Sequence, residues 1–190
     1  NDYLLAVASE AAHRRRVKDL PGETYEERFE TRFAELGLEL ITFVDRKEGS
    51  VDTQALVLRN DRLLLVAFMG SEAVSPGSFA RDWIGTNSSM ALDDLGDGVL
   101  IHRGFHRALD LVYDDLREII EEELSSDRRL WLTVHSLGGA LASNAAYRLS
   151  LEGVAVQGVV GFATPMIGDA GWGEAAEREL GKGLRQWAVR

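Results

Sequence analysis

Near the amino end, apolar residues recur with helical spacing. In "DYLLAVASEAAHRRRV", Leu4, Leu5, Ala8, Ala11 and Ala12 share one face, and basic residues close the segment. Pro21 and Gly22 then break the chain. Three β-type runs follow: "LELITFV" from Leu38, "TQALVLR" from Thr53, and the almost continuously apolar "LLLVAFM" from Leu63. Asn60 and Asp61 separate the second from the third and predict a short hairpin that leads antiparallel into a buried central strand.

From Gly70 to Asp97 periodicity is lost, and Gly, Ser, Asp and Asn surround small apolar islands at Phe79 and Trp83-Ile84. A loop of this length in a compact domain is a functional or mobile one. Phe105, Leu109, Val112, Leu116 and Ile119 then step by threes and fours through "GFHRALDLVYDDLREIIEEEL", an amphipathic helix. The strand "RRLWLTV" from Arg128 precedes "HSLGGALASNAAYRL", where Leu137, Leu141, Ala145 and Leu149 share a helical face. The buried-type strand "VQGVVGFA" from Val156, the helix "GWGEAAERELG" stopping at Gly181, and a last strand "LRQWAVR" complete the pattern. Strands alternating with helices imply right-handed crossovers. The expected fold is α/β, a mostly parallel central sheet flanked by helices, in a single domain of residues 1–190.

The chain has 190 residues, 45% of them hydrophobic and 27% charged, an ordinary globular balance. The formal net charge of -10 leaves no broad electrostatic footprint for nucleic acid or anionic lipid. The one basic cluster, Arg14, Arg15, Arg16 and Lys18, precedes the acidic run Glu23 to Glu30 and reads as a solvated helix end. There is no cysteine, which removes disulfides, thiolate catalysis and thiolate metal sites and leaves the compartment open. Apolar runs such as Leu63 to Met69 are too short to span a membrane, and the amino end lacks the order of a signal peptide. Because it starts at Asn1, the chain reads as a processed or trimmed product.

Ser136 has two readings. As an ordinary polar residue it caps a helix. As a nucleophile it stands on a sharp strand-to-helix turn, for which Gly138, Gly139, Ala140 and Ala142 provide the small residues that close approach requires. First-turn amides have no intrahelical partner, so the N–H of Leu137 is free to face a developing oxyanion.

The blocks "DTQALVLRNDRLLLVAFMGSE", "RDWIGTN", "IHRGFHRAL", "LWLTVHSLGGALA" and "GFATPMIGD", in this order, resemble the class 3 lipase family, the fungal-type lipases and their bacterial relatives among the α/β-hydrolases. The resemblance covers most of residues 52–190. It implies an α/β-hydrolase fold and a carboxylic ester hydrolase acting on acylglycerols or other lipid esters. By matching, it makes Ser136 the nucleophile and Ser71, in "FMGS", the oxyanion partner of Leu137. It also places "SPGSFARDWIGTN" where fungal relatives carry a lid; Trp83 and Ile84 are then either a lipid-facing patch or simply packed. No metal or organic cofactor is implied, and the expected partner is a lipid or small ester, met at a transient lipid interface.

Several positions depart from the family pattern. A serine hydrolase needs a histidine and an acid, which in α/β-hydrolases follow the serine. No histidine follows Ser136: the four are His13, His102, His106 and His135. His135 adjoins the serine and projects elsewhere, while His102 and His106 read as structural. Asp169 matches a position other than the triad acid. The sequence therefore reads as C-terminally incomplete, its acid and histidine lying elsewhere and its turnover strongly impaired. Val134 replaces the first elbow glycine and puts a branched side chain where close packing is expected, and Met69 and Met166 stand where arginines are usual. These departures keep a rival open, a non-catalytic hydrolase-like domain that binds lipid or protein.

Overall fold

A computed structural model of the chain describes residues 2–11, 24–49, 51–69, 91–135, 138–162 and 164–187. Two helices, α1 (Asp2–Ala11) and α2 (Tyr25–Glu35), precede three strands, β1 (Glu39–Glu48), β2 (Val51–Arg59) and β3 (Leu63–Phe68). A small hairpin of β4 (Leu92–Asp94) and β5 (Leu100–His102) leads into α3 (Arg103–Glu123). Then come β6 (Arg129–His135), α4 (Gly138–Leu151), β7 (Val156–Phe162), α5 (Ala170–Leu180) and β8 (Leu184–Trp187).

The main sheet has the order β1-β2-β3-β6-β7-β8. Its β1/β2 and β2/β3 pairs are antiparallel, and β3, β6, β7 and β8 run parallel. The hairpin expected at Asn60 is present. Its Oδ1 accepts from the backbone N–H groups of Arg62 and Leu63, both at 2.9 Å, so the side chain itself closes the turn.

The apolar run of β3 is continuous because both faces of the strand are covered. Leu64, Val66 and Phe68 face a core built with α3, α4 and α5, while Leu65, Ala67 and Met69 face the layer of α1 and α2. Burying each of the larger side chains contributes about 1.5–3 kcal/mol. Two buried threonines tie the layers to the sheet. Thr53 Oγ1 donates to the carbonyl of Ala108 on α3 at 2.8 Å, and Thr133 Oγ1 lies 3.1 Å from the carbonyls of Leu5 on α1 and Val160 on β7.

Three features differ from the sequence reading. Helix α2 falls partly in the acidic run Glu23 to Glu30, where the apolar pattern predicts no element: Thr24 and Glu27 form a capping box, and Phe33 is fully buried beneath an acidic outer face. Strand β1 continues to Glu48 through exposed polar residues, held by pairing with β2. The long irregular region ends in β4 and β5, paired Leu92–His102 to Asp94–Leu100. The connection between them turns through Gly96, Asp97 and Gly98, all at positive φ.

Candidate active site

In a parallel sheet, chemistry collects where strands end and helices begin. Strand β6 ends at His135 and α4 begins at Gly138, so the chain passes from a central strand to a buried helix across two residues. Those two, Ser136 and Leu137, lie outside the described residues, as do Ser71, Trp83 and Ile84. The chain is described up to His135 and again from Gly138 around Ser136 and Leu137, and up to Met69 before Ser71. Phe68 of β3 is in register with Val134 of β6, so the two strands end side by side. Met69 donates its N–H to the carbonyl of Gln54 at 2.9 Å.

The two glycines that open α4 are both closely approached. A β-carbon on Gly138 would come within 2.8 Å of the Met69 carbonyl oxygen and would overlap the γ2 methyl of Val134. On Gly139 it would overlap the side chain of Thr164, in the loop that leaves β7. The first turn of α4 is thus laid against both flanking strand ends. Residues 138–147 are all buried, including Ser143 and Asn144.

Val134 was expected to intrude where the family's glycine permits close packing. Instead it is fully buried in the main core, and its methyl fills the notch opened by Gly138. The two methionines also differ from one another. Met69 is 8% exposed, in the core beneath α1, whereas Met166 is 81% exposed in the loop between β7 and α5.

Asp169 is committed to structure. Its Oδ1 accepts from the N–H of Trp172 at 2.9 Å, capping α5, and its own N–H donates to the carbonyl of Leu100 at 3.1 Å. With the Ile101–Gly168 bridge and the bond from His102 N to the Ile167 carbonyl at 2.9 Å, this stitches the loop after β7 to β5.

His102 and His106 are likewise engaged. His102 Nδ1 accepts from the N–H of Gly104 at 3.2 Å as the N-cap of α3, and burial holds its pKa below 6.5 against the opposing pull of Asp93. His106 Nδ1 pairs with Asp93 at 3.2 Å, and its Nε2 faces Asp110 at 3.9 Å. With a carboxylate at each nitrogen, His106 belongs to a surface network. Arg103 holds Asp93 at 2.6 Å and Arg148 of α4 holds Asp110 at 2.6 Å, so the network anchors β4 to α3 and α3 to α4. Hydrogen bonding from Arg103 keeps the Asp93 carboxyl below its usual range, with His106 adding to that effect against burial. His13 lies outside the described residues. Among the described residues no group of three His, Asp or Glu is placed to hold a metal, and no helix is long and apolar enough to cross a membrane.

Three participants were not singled out from sequence: Thr164, which fills the notch of Gly139; Asn144, a fully buried amide on α4; and Asp93, the centre of the anchor. A polar residue inside the apolar stretch "ALASNAAYRL" was the available signal for Asn144.

The sheet order and the strand-to-helix junction define an α/β-hydrolase. Solved structures share the fold. They include the triacylglyceride lipase of Rhizomucor miehei (19% identity, TM-score 0.72, covering 98% of this chain and 69% of that one) and lipase II from Rhizopus niveus (20%, 0.72, 99% and 72%). Residues 65–187 match the family model described as Lipase (class 3), and the chain belongs to that family. A curated relative, the secreted mono- and diacylglycerol lipase A of Penicillium cyclopium, is 31% identical over 110 residues. The match covers 56% of this chain and 34% of that protein, so the chain spans about a third of the relative's length.

Proposed function

We propose that the chain is a carboxylic ester hydrolase of lipase type, with Ser136 as nucleophile. The observation that carries this reading is the two-residue passage from β6 into α4, with Gly138 and Gly139 pressed against Met69 and Thr164. A hydroxyl on that passage stands at the amino end of a buried 14-residue helix, where unpaired amides and the helix dipole favour negative charge. Ser136 Oγ attacks the ester carbonyl. The N–H groups of Leu137 and Ser71 receive the developing oxyanion, the alcohol leaves, and water releases the acyl group.

The substrate class is acylglycerols or other lipid esters, and Trp83 and Ile84 form the apolar part of a lid. A net charge of -10 favours uncharged over anionic lipid surfaces. Turnover also needs a base. Since no histidine follows Ser136, residues 1–190 alone are expected to turn over at least about 10⁴-fold more slowly than an enzyme with all three triad members.

The test is hydrolysis of emulsified acylglycerol and of a short soluble ester by the full-length protein and its Ser136→Ala variant. The reading expects activity that disappears with the serine. Hydrolysis unchanged in Ser136→Ala contradicts it, and binding of lipid without hydrolysis favours the non-catalytic rival.

A further inference from the structure

Thr164 is the side chain through which the loop after β7 meets the start of α4. Its Cβ, Oγ1 and Cγ2 all stand where a β-carbon on Gly139 would be. Helical Cα–Cβ bonds tilt toward the amino end, so a group in that position covers the turn through which the helix begins. Opposite it, Gly138 receives the carbonyl of Met69 from the end of β3. The start of α4 is therefore gripped from two sides, by backbone from β3 and by one side chain from the β7 loop. That loop is itself fixed, through Asp169 and Gly168, to β5.

The Thr164 hydroxyl is buried and has no hydrogen-bond partner among the described residues. As a polar group it gains nothing there, so its contribution to this contact is volume.

We propose that Thr164 is a positioning residue for acyl transfer. By filling the notch of Gly139, its shape fixes the amino end of α4 and with it the direction in which the Ser136 hydroxyl and Leu137 amide are presented. This rests on the lipase reading above. A group that holds the nucleophile in line affects kcat more than KM, because a misplacement on the order of 1 Å costs up to about a hundredfold in rate.

The experiment measures hydrolysis of a short soluble p-nitrophenyl ester, and the rate of fluorophosphonate labelling, in the full-length protein. Thr164→Ala is expected to lower kcat and labelling rate together by about tenfold with KM within about twofold. Thr164→Val, which keeps the shape and loses the hydroxyl, is expected to stay within about twofold of the wild type. Thr164→Ser, which keeps the hydroxyl and loses the methyl, falls between them and covers the case in which the alanine variant does not fold. Full activity in Thr164→Ala overturns the proposal. So does a valine variant as slow as alanine beside a fully active serine variant, which would make the hydroxyl the working part. A wild type that neither labels nor hydrolyses overturns the lipase reading itself, whereas one that does both while Thr164→Ala matches it sinks only the role of Thr164.

Discussion

The γ2 methyl of Val134 occupies the place that a β-carbon on Gly138 would take. A branched residue fits on the strand at this turn because Gly138 brings no side chain from the helix. Gly138→Ala would meet both that methyl and the Met69 carbonyl, and overpacking of this kind costs about 1–3 kcal/mol. Chemical denaturation should show that loss. Adding Val134→Ala should recover only part of it, because the backbone carbonyl stays in place. Full recovery would mean that the methyl alone sets the constraint.

Asn144 is fully buried on α4, and neither polar atom of its amide has a hydrogen-bond partner among the described residues. Leucine has the same branching and no polar atom to desolvate. Asn144→Leu is therefore expected to stabilise the protein by about 1–3 kcal/mol, read from the shift of a urea unfolding midpoint at constant slope. A loss of stability would show that the amide is bound to something in solution, such as ordered water.

The fold was largely legible in the sequence, since apolar periodicity located the central strands and the crossover helices. What escaped was information of shorter range or opposite polarity. Thr24 and Glu27 start α2 in a stretch where charge hides the buried Phe33, and the polar end of β1 is a strand only because β2 pairs with it. For the site, sequence order pointed to Ser136, but the partners of Gly138 and Gly139 come from Met69 and Thr164, distant positions that no local pattern connects. Val134 could be judged only once its neighbour's missing side chain was seen to leave it room.

His102 should make stability depend on pH. Burial sets its folded-state pKa below 6.5, so the unfolded chain binds the proton first. Its contribution is intact above pH 6.5 and is lost progressively as pH falls below that value toward the lower folded-state pKa. His102→Asn retains a good N-cap without the titration. Its unfolding midpoint should therefore fall less than that of the wild type between about pH 7.5 and 5.5. Parallel curves would remove His102 as the cause.

Asp93 acts in a lower window. Its folded-state pKa lies below the ordinary 3.8, first through Arg103. The stabilisation is present above the unfolded value and disappears as pH falls through the folded one. Asp93→Asn should be less stable than the wild type at neutral pH, with the difference vanishing in strong acid. A constant difference across the acid range would assign the loss to packing instead of charge.

The central claim is that the hydroxyl between β6 and α4 is the reacting group. Fluorophosphonate treatment of the folded full-length protein, followed by peptide mass spectrometry, tests it most directly. The account predicts a single adduct on Ser136 that is absent from Ser136→Ala; an adduct on another residue, or none on a protein shown to be folded, would contradict it.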